Sequence, residues 1–190
     1  MRWSMNRAER FSYAEDLADL EKRRLGGILH VVHEYANFVS SAETVLSGCD
    51  IDGVVFKPPI NTHISHAFYL NCRKLTDLFQ NRLGPDKDDI VAEHYVPGFK
   101  YPLPVCENWR VPMNKQLAHV TYTRDRDKGG REIGRSACEA LYKELKNAWG
   151  EFRRSLAGGP YEAEFANQIR SRKEPYPDGR LPEFRFYDLD

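Results

Sequence analysis

The chain is 190 residues long, somewhat beyond the ~100 to 150 residues of a common domain, so one core with a decorated tail is the economical plan. Apolar residues make up 41% of it and aromatics 12%, which is too rich for a disordered chain. Lys and Arg total 28 against 28 Asp and Glu, so no global field holds the chain on nucleic acid or an anionic membrane, and any nucleic-acid site must be local.

The opening segment, MRWSMNRAERFSYAED, is charged throughout and lacks the apolar core of a secretory signal. No uninterrupted apolar stretch approaches the ~20 residues of a membrane helix. Cys49, Cys72, Cys106 and Cys138 are spaced too widely for the paired thiolates of a zinc ribbon. Together these features predict reduced thiols, a cytoplasmic location and no membrane partner.

From Ala14 to about Leu46 the residues Ile28, Val31, Val32, Tyr35, Phe38, Val39, Ala42, Val45 and Leu46 recur at three- and four-residue steps, as one helical face requires. Gly26 and Gly27 are expected to break or bend this first helix, and Gly48 to stop it. The run IDGVVF, residues 51–56, predicts a connector with one short strand before Pro58 and Pro59.

A second helix is predicted from about Asn61 to Leu83, with Ile64, Ala67, Phe68, Asn71, Leu75, Leu78 and Phe79 on its stripe and Gly84-Pro85 as terminator. From Pro85 to Val111 prolines and the acidic cluster Asp86, Asp88 and Asp89 predict a long irregular connection, with a turn near residues 90–94. Connections this long inside one domain often carry function.

Pro112 suits the first turn of a third helix, where its missing N–H costs nothing, and Met113, Leu117 and Val120 give that helix a short apolar face. A fourth helix keeps its spacing through Ile133, Ala137, Leu141, Leu145, Ala148, Trp149, Phe152 and Leu156, up to Gly158-Gly159-Pro160. A short further helix fits residues 161–169, and the rest reads as a tail rich in proline and charge. The predicted fold is all-α: a four-helix bundle over residues 1–157 with a long irregular connection between helices two and three, and a C-terminal extension over 158–190.

The third helix carries the candidate chemistry. Asn114 and Lys115 stand about one turn before His119, with Arg110 ahead of them and Arg124 behind. An imidazole beside amide and cationic donors is minimal equipment for cleaving RNA without a metal or other cofactor: one group takes the 2′-hydroxyl proton and another steadies charge on the phosphate. The plainer reading makes His119 a hydrogen-bonded core residue and Asn114 an interhelical bond.

Two segments, HAFYLNCRKLTDLFQ (residues 66–80) and VPMNKQLAHVTYTR (residues 111–124), resemble the second and third helices of HEPN-superfamily proteins, and with the helix order the resemblance covers about residues 14–157. It implies an all-α domain that often forms homodimers. In active members it implies a metal-independent ribonuclease, in a defence or stress role, whose motif is an Arg, a short polar spacer and a His. His119 matches that motif. Arg110 lies across Pro112 with too long a spacer, and Asn114 or Lys115 occupies the expected Arg position. The resemblance thus assigns His119, Asn114 and Lys115 to catalysis, and Arg110 and Arg124 to substrate contact. A degenerate motif also fits a second class, a non-catalytic helical module that binds a protein partner.

Other constellations compete. His30 and His33 on the first helix, with Glu34, and His63 and His66 on the second are spaced so that each pair shares a face, as a metal site between helices requires; the ordinary alternative is four polar histidines. Arg73-Lys74 with Tyr69, and Arg153-Arg154 with Trp149, mix cations and aromatics as a single-stranded nucleic-acid groove does, though solvated helix flanks do so too. Cys72 reads as a small core residue.

Overall fold

The computed structural model describes residues 17–48, 50–51, 54–55, 60–83, 89–118 and 134–173. Among these, helix α1 spans Leu17–Leu46, α2 Ile60–Phe79, α3 Pro104–Ala118, α4 Arg135–Leu156 and α5 Glu162–Lys173, with one 3₁₀ turn at Ala92–His94. The fold is all-α but for a two-stranded antiparallel ladder of β1 (Asp50–Ile51) and β2 (Val54–Val55), in which Asp50 faces Val55 and Ile51 faces Val54. Where the sequence predicted one short strand, these residues pair with each other.

The apolar spacing of α1 is realised over most of its length: Ile28, Val32, Tyr35, Phe38 and Ala42 are completely buried, while Val45 and Leu46 at its end are partly buried against the core. This stripe packs most extensively on α2, which presents Phe68, Tyr69, Cys72, Leu75 and Phe79. Ala67, expected on the α2 stripe, is exposed. The face of α4 formed by Leu141, Leu145, Ala148, Trp149 and Phe152 closes on both α1 and α2, and Trp149 stacks on Tyr35 with ring centroids 4.0 Å apart.

Gly26 and Gly27 neither break nor end α1, which runs through both. Gly27 serves close packing instead. A Cβ there would stand 2.5 Å from the Tyr95 hydroxyl, which donates a 3.1 Å hydrogen bond to the Arg24 carbonyl of the same helix.

Helix α2 ends four residues short of the predicted Leu83, because Asn81 takes the left-handed conformation (φ 54°). Its side chain then organises the connection: Nδ2 donates to the Phe99 carbonyl at 2.5 Å and Oδ1 accepts from the Glu93 N–H at 2.9 Å. Asparagine tolerates this conformation better than most residues because its short polar side chain bonds locally. The expected turn near residues 90–94 is the 3₁₀ turn.

Helix α3 begins at Pro104, eight residues before the predicted Pro112, which lies inside the helix. Pro104 takes the first-turn position, and the next N–H groups are satisfied from another helix: the Glu144 carboxylate of α4 accepts from Val105 N at 3.0 Å and Cys106 N at 2.8 Å. A carboxylate at a helix N-terminus satisfies orphan donors and meets the positive end of the helix dipole. Pro112 withdraws the donor for the carbonyl four residues back, that of Asn108, which is an exposed residue.

Gly158 (φ 73°) turns the chain out of α4 into α5. Residues 162–173, assigned by the sequence to the C-terminal extension, form this helix against α1, and Tyr161, Phe165 and Ile169 join the same core cluster as the preceding helices. The Tyr161 hydroxyl donates to Glu21 Oε2 at 2.8 Å and accepts from Arg24 Nη1 at 3.4 Å.

Phe152 meets the rings of Phe79, Tyr95, Phe99, Trp149 and Phe165, joining α2, the connection, α4 and α5. Phe152→Ala is expected to cost about 3–5 kcal/mol in urea unfolding. Gly27→Ala is expected to cost about 1–3 kcal/mol, because the Tyr95 hydroxyl must move off its Arg24 acceptor. An unchanged midpoint in either variant contradicts this packing.

Candidate functional site

Helix α3 buries Cys106 and Met113 and turns Glu107, Arg110 and Asn114, three and four residues apart, along another face. Arg110 Nη2 donates to Asp77 Oδ1 of α2 at 3.1 Å, and Glu107 Oε1 accepts from Arg82 Nη2 at 2.5 Å. Asn114 is half-buried, and its Oδ1 is shielded from solvent with no hydrogen-bond donor to it among the described residues. This face therefore holds two of the sequence-derived site residues in register. Lys115 follows on the same helix; its side chain, together with His119 and Arg124, lies outside the described residues.

Arg110 opens onto a cleft of about 660 Å³ between α1, α2 and α3. Its charged lining comes from His30 and Glu34 of α1, Arg73, Lys74 and Asp77 of α2, Arg82 beyond the end of α2, Asp89, and Arg110. Asp77 is the centre: besides Arg110 at 3.1 Å, Arg73 Nε lies 3.9 Å from Oδ2 and Arg82 Nη1 4.0 Å from Oδ1. Burial pushes the Asp77 carboxyl above its usual range, while Arg73 and Arg82 pull it down. Lys74 Nζ reaches Glu34 Oε1 at 2.8 Å, tying α2 to α1 across the cleft.

Asp77, the partner of Arg110, and Arg82 beside it were not singled out by the sequence. Asp77 and Arg73 stand four apart on one helix, which is a local signal, but the approach of α3 to α2 is not. Arg73 and Lys74 line the cleft as cations, whereas Tyr69 beside them is buried and offers no face for base stacking. In the second cation–aromatic pair Trp149 is buried against Tyr35, and Arg154 bonds Glu151 at 2.6 Å.

Among the described residues no group of three or more His, Cys, Asp or Glu side chains is arranged to hold a metal ion, so His30, His33, His63 and His66 make no such group. Burial, then Arg172, lowers the His33 pKa, favouring its neutral imidazole. No described helix is long and apolar enough to cross a membrane. No family model, curated protein or solved structure matches the chain.

Cys72, Cys106 and Cys138 are buried free thiols on α2, α3 and α4. Burial raises all three above the usual thiol range, and neighbouring Cys106 and Cys138 add to the effect on Cys72. Because the thiolate is the nucleophile, Cys72 and Cys106 are expected to resist iodoacetamide in the folded chain at pH 8 and to react fully in urea. Alkylation of either at the same rate in both states contradicts their burial.

Proposed function

We propose that the chain is a HEPN-like helical protein, built on a four-helix bundle, that binds or cleaves RNA through the C-terminal half of α3. The observation that carries this reading is the placing of Arg110 and Asn114 on one α3 face beside a cleft with further cations, with His119 following on the same stretch of chain. In the cleaving case His119 accepts the proton of a ribose 2′-hydroxyl. The 2′-oxygen attacks phosphorus, the bond to the 5′-oxygen breaks, and the protonated imidazole returns a proton to that leaving oxygen. Arg110, Lys115 and Arg124 supply positive charge to the phosphate, and Asn114 supplies an amide. Lys115 gives a point charge where the family motif has the bidentate fork of arginine. Two chains pairing as a homodimer, and a cytoplasmic defence or stress role, belong to the same proposal.

A second reading has its own observation. Arg110 is already held by Asp77 at 3.1 Å, as in a non-catalytic module whose polar residues fix helices and whose surface binds a protein partner.

The two separate by RNA cleavage in EDTA over structured and single-stranded substrates. Wild type is expected to cut, and a folded His119→Ala variant to lose roughly 10²- to 10⁴-fold in rate, the usual range for a general acid–base. Absence of cleavage by wild type, or equal rates in both proteins, would move the assignment to the interaction module.

A further inference from the structure

The cleft between α1, α2 and α3 is built around a mismatch of donors and acceptors. A guanidinium has more N–H donors than a carboxylate has lone pairs to receive them, and three guanidiniums, from Arg73, Arg82 and Arg110, surround the single carboxylate of Asp77. Glu107 takes one donor of Arg82. Even so, Arg82 Nη1 is shielded from solvent and has no hydrogen-bond acceptor among the described residues; Asp77 Oδ1, 4.0 Å away, is beyond hydrogen-bonding reach. A buried donor left unmade is costly, and an acceptor arriving in the cleft removes that cost.

Three carboxylates share the cleft with these cations. Glu34 is engaged through Oε1 by Lys74 at 2.8 Å, while its Oε2 is shielded from solvent without a donor among the described residues; Asp89 lies at the rim, and Asp77 holds the arginines in place. Asp77 acts as an internal stand-in for an anion: it keeps three mobile cationic side chains gathered, so less ordering remains when a ligand binds. The cleft, at about 660 Å³, falls in the size range of small-molecule sites and has an apolar floor of Val31, Leu75, Leu78 and Ile90.

We infer that this cleft is a binding site for a phosphorylated group, held by Arg73, Arg82 and Arg110 with Lys74 at its edge. Planar guanidiniums clustered from two helices and a turn suit the bidentate recognition of phosphate oxygens. The phosphate belongs either to a small phosphorylated molecule or to the backbone of an RNA strand. The site shares Arg110 with the proposed RNA contact, whereas cleavage at His119 is read from a different measurement.

The test is calorimetric titration of the full chain with inorganic pyrophosphate at low ionic strength, where exposed charges are least screened. Wild type is expected to bind saturably. Arg82→Gln is expected to weaken binding about tenfold or more through loss of a charge-assisted bond, and Arg73→Gln to weaken it in the same direction. Arg73 is 42% exposed in its side chain and pairs within its own helix, so its replacement leaves the fold intact and keeps the test decisive if Arg82→Gln unfolds.

Competition with a labelled RNA strand identifies the source. Displacement of strand by pyrophosphate in wild type, lost in the arginine variants, assigns the site to backbone phosphate; pyrophosphate binding that RNA does not compete for assigns it to a small phosphorylated ligand. No heat of binding in wild type, or equal pyrophosphate affinity in wild type and Arg73→Gln, overturns the inference.

Discussion

Burial of Phe152 among rings from α2, α4, α5 and the connection is the constraint from which the site follows. The described part of the connection between α2 and α3 is hydrogen-bonded locally in short turns between Val91 and Phe99, and its course over α4 is set by where Tyr95 and Phe99 can leave water. Both pack on Phe152. Asn81 fixes the same stretch from the α2 end through its bonds to Phe99 and Glu93. Two turns before Phe152 on α4, Glu144 meets the first N–H groups of α3. One helix thus positions α3 twice, by apolar burial and by a carboxylate at its N-terminus, and the register of α3 brings Arg110 to Asp77.

The ion pairs around Asp77 contribute little to stability by comparison. They are partly exposed, with side chains from 28% to 42% accessible, and pairs of this kind are typically worth about 1 kcal/mol or less. Their consequence is positional. Long cationic side chains that would otherwise sample many rotamers are gathered about one carboxylate, at the mouth of a cleft whose floor is apolar. Local charge is concentrated although the chain as a whole is neutral, as the composition required of any nucleic-acid or phosphate site.

The helices legible in the sequence are those whose apolar residues repeat over many turns. The stripes of α1 and α4 carry Val32, Tyr35 and Phe38, or Leu141, Leu145 and Phe152, and each such residue is buried. Helix α3 gave a weaker signal: among its described side chains Cys106 and Met113 are buried, and the start rule for proline fits both Pro104 and Pro112. What decides between them is Glu144, 38 residues beyond Cys106, which no local window contains. The same blindness hid Gly27, read as a helix breaker because its partner Tyr95 lies far along the chain.

Charge and aromatic content left a choice open for a related reason. Residue type does not report which way a side chain faces, so the cation–aromatic pairs fitted either a nucleic-acid groove or helix flanks, and burial of Tyr69 and Trp149 in the core removes them as stacking platforms. Arg110, singled out by the sequence, lines the cleft, but Asp77, which holds it, came from a helix whose polar residues carried no distinguishing pattern. His119 and Arg124 fall outside the described residues, and their place in the account rests on the sequence.

The central claim is that RNA meets this chain along α3. Photo-crosslinking of the purified protein to 4-thiouridine-substituted RNA, with the attached peptides mapped by mass spectrometry, tests it most directly. The account predicts crosslinks concentrated in residues 110–124, lost with excess unlabelled RNA. Crosslinks confined to other elements, or none under conditions where an established RNA-binding control reacts, would contradict it.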